Sequence, residues 1–456
     1  MIYMKFSTIN PATEERIAEY EIASIDNVNG KVATARKAFE TWHETDIRER
    51  SRLVRKLGRK MLSRKEKLAA VITQEMGKPI KQSLLEVEKC QSICEYFGKN
   101  AKKMLKDEQI KTEYIKSYVS FQPLGIVGSI MPWNFPMSQI IRFAVPSVIA
   151  GNVQIVKPSS ITPNSGGLLI EKLFKECKFP GNVFQAVIGD STTGTALVES
   201  KIDAISFTGS TETGSKIAQL AMRNLKKVVL ELGGSDPFIV FDDADMDKVI
   251  KGAVDGRFLN CGQSCTAAKR FIVLRGIVDE FITKFIEAAR AMKIGDPINP
   301  ETDLGPLVRE EQRKRLETQV HSSVSQGAKL LLGGKRFERK GYFFEPTIMS
   351  ATNDMTIARE EAFGPVAPII PIENEEEAIK VANDTEYGLG ASLWTRNIER
   401  GEKIAKKINA GSVYVNRNVR SDPRLPFGGV KKSGLGREMS KYGLLEMVNI
   451  KSVIIN

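Results

Sequence analysis

Histidine is almost missing: only His43 and His321 occur in 456 residues. That scarcity argues against a Ser-His-Asp triad, a HExxH zinc site or a histidine-rich metal cage. Acid–base chemistry then has to come from carboxylates, thiols or a bound cofactor. Cysteine is scarce too. Cys90, Cys94, Cys177, Cys261 and Cys265 make an odd set, which fits a reducing compartment better than a disulfide framework. The N-terminus, MIYMKFSTINPATEE, lacks a cationic start followed by a long apolar core. The most apolar stretch, FAVPSVIAGNVQIV (143–156), is short and carries Pro146, Asn152 and Gln154, so no membrane span is expected. The expected location is cytoplasmic. Internal repeats and low-complexity runs are lacking, as are the phosphate motifs GxGxxG and GxxxxGKS/T.

What is present is an ordinary globular composition, 42% hydrophobic and 27% charged. At ~150 residues per domain the length suggests about three domains, with a core that needs no disulfide or metal staple. Lys and Arg number 67 against 55 Asp and Glu, a net charge of +12. The basic residues are interleaved with acids, as in RERSRLVRKLGRKMLSRKEK (48–67) and RNIERGEKIAKK (396–407). Such patterning reads as solvated helix faces, so no nucleic-acid partner is expected.

The N-terminal third reads as helices. Asp46 with Glu49 resembles a capping box, and Leu53, Leu57, Met61 and Leu62 recur at helical spacing. From about residue 121 short Val- and Ile-rich runs alternate with helical segments: GIVGSIM (125–131), VQIVKP (153–158), FQAVIG (184–189), AISFTG (204–209) and KVVLELGG (227–234). Strand–helix alternation predicts an α/β fold with a Rossmann-like, doubly wound parallel sheet. A second α/β set begins near 235 with FIVF (238–241), RFIVL (270–274) and GASLW (390–394). The terminal VNIKSVIIN (448–456) alternates like an edge strand that adds to another subunit's sheet.

Four features carry chemistry. FTGSTETG (207–214) places Gly209 and Gly214 after a strand and at the opening of a helix, where backbone N–H groups can meet a phosphate. Cys265, in FLNCGQSCTAAKR (258–270), sits in a small-residue turn that can present a thiolate to a carbonyl carbon. Glu231, in LELGGSDP, is an acid in an apolar run, costly to bury idle and a candidate general base. Asn134, in MPWNFP, has a rigid setting from which its amide can donate to an oxyanion.

With INPATEE (9–15), PWNFP (132–136), VKPSS (156–160), GQSC (262–265), EEAFGPV (360–366) and PFGGVKKSGLGRE (426–438), these segments resemble the aldehyde dehydrogenase superfamily over nearly the whole chain. The resemblance implies a cysteine thiohemiacetal and thioester on Cys265, with Glu231 as general base and Asn134 as oxyanion donor. It implies cofactor contacts at Trp133, Lys157, Gly209, Ser210 and Leu232, with Glu361 and Phe363 near the nicotinamide ribose. Ser160 stands where NAD-preferring members often have a Glu, which with Lys157 nearby points to NADP, with NAD as the alternative. By the same resemblance residues 1–112 and 126–233 form the dinucleotide-binding domain and 234–425 the catalytic domain. Residues 113–125 and 426–456 form a small β oligomerisation element and C-terminal segment, implying a homodimer or homotetramer.

Arg142, in SQIIRFAVP, is expensive among apolar neighbours without a partner; a buried ion pair and a substrate contact both explain it. The segment resembles succinate-semialdehyde dehydrogenases, in which an Arg here grips the distal carboxylate and Ser421 is a second contact. The implied substrate is therefore a small acidic aldehyde, succinic semialdehyde. Some of those enzymes have another Arg six residues before the nucleophile, where this chain has Leu259. Lactaldehyde, glyceraldehyde-3-phosphate and a catalytically silent binding relative stay open as alternatives, while Glu231 argues against transfer to CoA. Cys261 is either a small buried thiol or a disulfide partner for Cys265.

Overall fold

The computed structural model describes residues 4–456. Its first large sheet orders five parallel strands as Lys227–Glu231, Ala204–Thr208, Ile126–Ile130, Val153–Lys157, Phe184–Ala186. Gly434–Leu435 adds an antiparallel edge beside Lys227–Glu231. Helices cover both faces, so the inner strands are buried throughout and read as continuous apolar runs instead of alternating ones. The chain enters at Ile126–Ile130, moves out through two strands, then returns to the other side at Ala204–Thr208. Strand order thus reverses between these two strands. The crevice at their carboxyl ends is where open α/β sheets bind ligands.

Residues Leu232–Ser235 lead into a second sheet, ordered Lys329–Leu332, Thr347–Ser350, Val366–Ile372, Ala268–Leu274, Asp236–Val240, Gly390–Trp394, Ser412–Val415. Among the described residues its one antiparallel pair is Lys329–Leu332 with Thr347–Ser350. Phe238 and Val240 pack into one core cluster and Ile239 and Phe241 into another, as the two-residue period of a doubly covered strand requires. A third, antiparallel sheet joins Val448–Ile455 to Lys116–Pro123 and Glu108–Gln109. Ile450 and Ile454 on it are more than half exposed, at 58% and 57%.

The structure differs from the sequence expectation in three places. The N-terminal part opens with a hairpin, Lys5–Ile9 with Arg16–Glu21, and INPATEE forms its turn. Asn10 N donates to Glu15 O and Asn10 Oδ1 accepts from Ala12 N, a side-chain-stabilised turn that helical spacing does not register. Asp46 does cap its helix, accepting from Arg48 N at 2.7 Å, but Glu49 pairs with Arg52 instead of reaching back. The C-terminal segment also enters the first sheet through Gly434–Leu435. Among the described residues no helix is long and apolar enough to cross a membrane, and no group of three His, Cys, Asp or Glu is placed to hold a metal.

Candidate active site

The backbone before Cys265 is strained. The helix Met246–Phe258 gives way to Asn260, Cys261 and Gly262 with φ of 55°, 56° and 73°. Left-handed non-glycine residues cost ~1–3 kcal/mol each and persist only where neighbours over-determine them. Asn260 Nδ2 donates to Asn134 O at 2.8 Å and to Gln263 O at 3.1 Å, and Gln263 Oε1 accepts from Val308 N at 2.9 Å. Arg257, fully buried, donates to Gly262 O and Ala268 O on either side of the cysteine and to Ala362 O and Gly364 O of EEAFGPV. Lys269 Nζ donates to Cys265 O at 2.6 Å and pairs with Glu361 at 3.2 Å. The thiol loop and Glu361 are therefore one rigid unit.

Cys265 is half-buried where two cavities meet, of about 280 and 350 Å³; only Cys265 and Gln139 line both. Burial pushes the thiol up to about 11, with Arg142 and Lys269 pulling it down and Glu231 and Glu361 pushing it up.

The larger cavity opens at the reversal of strand order. Pro132, Trp133 and Asn134 line it from beyond Ile126–Ile130, and Thr208, Gly209 and Ser210 line it from the end of Ala204–Thr208. Ser210 Oγ caps the helix Thr211–Met222, accepting from Thr213 N at 3.3 Å. Leu232, Glu361 and Phe363 complete the wall, and Trp133 meets Phe363 edge-on at 5.6 Å. A Cβ at Gly233 would lie 2.4 Å from Glu361 Oε2, so a larger residue there would push that carboxylate aside. Lys157 and Ser160 do not line this cavity. Lys157 ends the adjacent strand, in register with Ile130, and Ser160 follows it; burial pushes Lys157 down to about 8 against the pull of Asp190. Arg309, Gln312 and Arg315 also line the cavity; they lie far from any recognised motif and were not singled out by sequence. A cavity of this size, with a helix N-terminus, two arginines and a carboxylate, suits a dinucleotide.

Asn134 is 4% exposed; its Nδ2 donates to Gln263 O at 3.1 Å and its Oδ1 accepts from Phe135 N at 3.1 Å. The amide is thereby fixed on the wall of the cavity that Cys265 shares.

The smaller cavity lies on the other side of Cys265, and Arg142, Ser421, Leu259 and Phe427 line it. Arg142 lines the cavity and pairs with buried Glu438, so the ion-pair explanation is met and the side chain also faces the space a substrate would fill. Phe427 and Glu438 exchange both backbone hydrogen bonds, at 2.8 and 2.7 Å, which sets the Phe427 ring 4.6 Å from the guanidinium beside its carboxylate. Glu438 was missed because only tertiary structure brings the end of GLGRE to the helix Pro136–Ala150. Ser421 Oγ accepts from Lys89 Nζ at 2.6 Å.

Glu231 lines neither cavity. It ends its strand 2% exposed, neither carboxylate oxygen has a hydrogen-bond partner, and a Cβ at Gly428 would lie 2.6 Å from Oε1. Burial and the neighbouring Glu438 hold its carboxyl well above the usual range, with Arg142 and Arg437 opposing. Cys261 is 1% exposed, its Sγ accepts from Gly305 N at 3.2 Å, and burial pushes its thiol up to about 12. That is the packed-thiol alternative, as Cys90 and Cys94 are in their helix.

Comparison with known proteins agrees with this arrangement. The aldehyde dehydrogenase family model matches residues 3–453. The chain is 42% identical to the succinate semialdehyde dehydrogenase (NAD(P)+) Sad of Escherichia coli, over 98% of this chain and 97% of that one. It is 40% identical to the succinate-semialdehyde dehydrogenase (NADP(+)) of Mycobacterium avium, over 99% and 97%. The NAD+ complex of an aldehyde dehydrogenase from Bacillus cereus superposes with a TM-score of 0.96 at 36% identity, covering 99% of this chain and 93% of that one. A thiol poised between a nucleotide crevice and an aldehyde-sized cavity, together with a family match across the whole chain, leads to one conclusion: this protein belongs to the aldehyde dehydrogenase family.

Proposed function

We propose that the protein oxidises succinic semialdehyde to succinate with NADP. The observation that carries the reading is the cationic cavity beside Cys265, where Arg142 and Ser421 line a space suited to a short acidic aldehyde. The names of the relatives described above point the same way.

In this reading Cys265 Sγ passes its proton to solvent water, the thiolate bonds to the aldehyde carbon, and the carbonyl π pair moves onto oxygen. The new oxyanion meets Asn134 Nδ2 and the Cys265 backbone N–H, donors already held in place and so cheap to use in the transition state. Trp133, Lys157, Ser160, Gly209, Ser210, Leu232, Glu361 and Phe363 would hold the dinucleotide. When bound, its oxidised nicotinamide supplies the hydride acceptor and a positive charge near the thiol. Loss of hydride from the substrate carbon leaves a thioester on Cys265. Glu231 turns from Glu438, takes a proton from water, and the hydroxide adds to the thioester; the C–S bond breaks and succinate leaves.

NADP preference rests on Ser160, which removes a carboxylate that would repel a 2′-phosphate, and on Lys157, a buried cation without an ion pair among the described residues. The domain reading assigns dinucleotide binding to 1–112 and 126–233, catalysis to 234–425, and assembly to 113–125 and 426–456. The edge strand Val448–Ile455, with its exposed isoleucines, supports a homodimer or homotetramer built by strand pairing. Five unpaired thiols suit the cytoplasm.

Formation of reduced nicotinamide with an aldehyde panel tests the reading. Succinic semialdehyde should exceed lactaldehyde, glyceraldehyde-3-phosphate and hexanal in kcat/KM, and NADP should exceed NAD. No turnover of any aldehyde would leave a silent relative.

A further inference from the structure

The smaller cavity contains a cation that makes no ion pair among the described residues. Lys89, on the helix Ile80–Met104, is half-buried and lines the cavity with Arg142, Ser421 and Cys265. Its acidic neighbours are engaged elsewhere. Glu86 pairs with buried Lys78 at 2.5 Å and accepts from Met137 N and Ser138 N, while Glu88 pairs with Lys65 at 2.9 Å. Across the space, Glu438 pairs with Arg142 and Asp422 with Arg424. Asp255, also on the wall, is exposed to water. Among the described residues Lys89 Nζ makes one hydrogen bond, 2.6 Å to Ser421 Oγ. Burial and then Arg142 push its pKa down to about 8, against upward pulls from Cys90, Glu86 and Cys265.

The two cations of the cavity are therefore unequal. Arg142 is in a direct ion pair with Glu438, whereas Lys89 feels Glu86 and Glu438 only at longer range and pairs with neither. A desolvated cation without a counter-ion is a vacancy for an anion, and a carboxylate placed there gains most of the charge-assisted bond. We propose that Lys89, with Ser421 beside it, binds the distal carboxylate of the substrate as its ion-pairing charge, while Arg142, tied to Glu438, orients it. This inference rests on the acidic-aldehyde reading above and names the residue that supplies the charge.

The test compares Lys89→Met and Lys89→Arg with the unaltered enzyme on succinic semialdehyde and hexanal. Removing the cation should raise KM for succinic semialdehyde ~30-fold or more with kcat within ~3-fold, and lower kcat/KM for hexanal less than ~3-fold. Lys89→Arg should return KM for the acidic aldehyde to within ~5-fold of the original. In the unaltered enzyme that KM should climb above a pH of about 8, as Nζ loses its proton, and the climb should vanish in Lys89→Arg. Equal effects of Lys89→Met on both aldehydes, or an unchanged KM for the acidic one, would overturn the assignment. If Lys89→Met does not fold, a pH bend that persists in Lys89→Arg overturns it instead. An unaltered enzyme that shows no preference for succinic semialdehyde over hexanal sinks the acidic-aldehyde reading itself, whatever the variants do.

Discussion

The two cavities that meet at Cys265 are built by opposite means. The larger one is set by backbone features, strand ends and a helix N-terminus at the reversal of strand order, with side chains such as Trp133, Glu361 and Phe363 carried on local motifs around them. The smaller one is made by side chains from separate segments, Lys89, Arg142 and Ser421, with Glu438 behind Arg142. A cavity shaped by backbone can serve any aldehyde the chain acts on. One shaped by side chains is where the choice of aldehyde is made.

Breaking the point the cavities share has the largest effect. Cys265→Ala should lower kcat/KM for every aldehyde by ~10⁴ or more, because the nucleophile acts in both halves of the reaction. Binding of the reduced dinucleotide, followed by its fluorescence, should persist. Next in size is Glu231→Gln, with a steady-state kcat lower by ~10²–10⁴. Stopped-flow traces should keep a burst of reduced nicotinamide, because thioester formation precedes the step that needs the base. Loss of the burst would move Glu231 ahead of the thioester.

Arg142→Met separates structure from recognition. It leaves Glu438 buried without its cation and should lower unfolding free energy by ~3–5 kcal/mol in urea titration. Adding Glu438→Gln should restore most of the stability but leave KM for succinic semialdehyde high. Recovery of both would reduce Arg142 to a structural ion pair. Smallest is Ser160→Glu, which should shift the NADP-to-NAD ratio of kcat/KM by ~10-fold toward NAD through repulsion of a 2′-phosphate. An unchanged ratio would move phosphate recognition to Arg309 or Arg315.

The same contrast explains what the sequence could reveal. Strand runs such as AISFTG and KVVLELGG, and the residues Cys265, Asn134, Trp133, Gly209 and Glu361, were legible because each sits in a short local motif whose backbone conformation dictates its residue types. The hairpin at 5–21 was not legible, since its turn depends on Asn10 contacts and not on a hydrophobic period. Lys89 was invisible for a different reason. In EVEKC it looks like one more charge on an amphipathic helix, and only the engagement of Glu86 and Glu88 elsewhere leaves it unpaired. Arg142 was legible as an anomaly but ambiguous, because its partner Glu438 lies almost three hundred residues away in sequence. Glu231 was identified as an acid in an apolar strand, yet its facing Glu438 instead of either cavity needed the fold.

The most direct test of the account is the ratio of kcat/KM for succinic semialdehyde to that for hexanal, measured with NADP at neutral pH. A cavity whose half-buried lysine awaits a carboxylate predicts a preference of ~100-fold or more for the acidic aldehyde. Equal values, or a preference for hexanal, would contradict it.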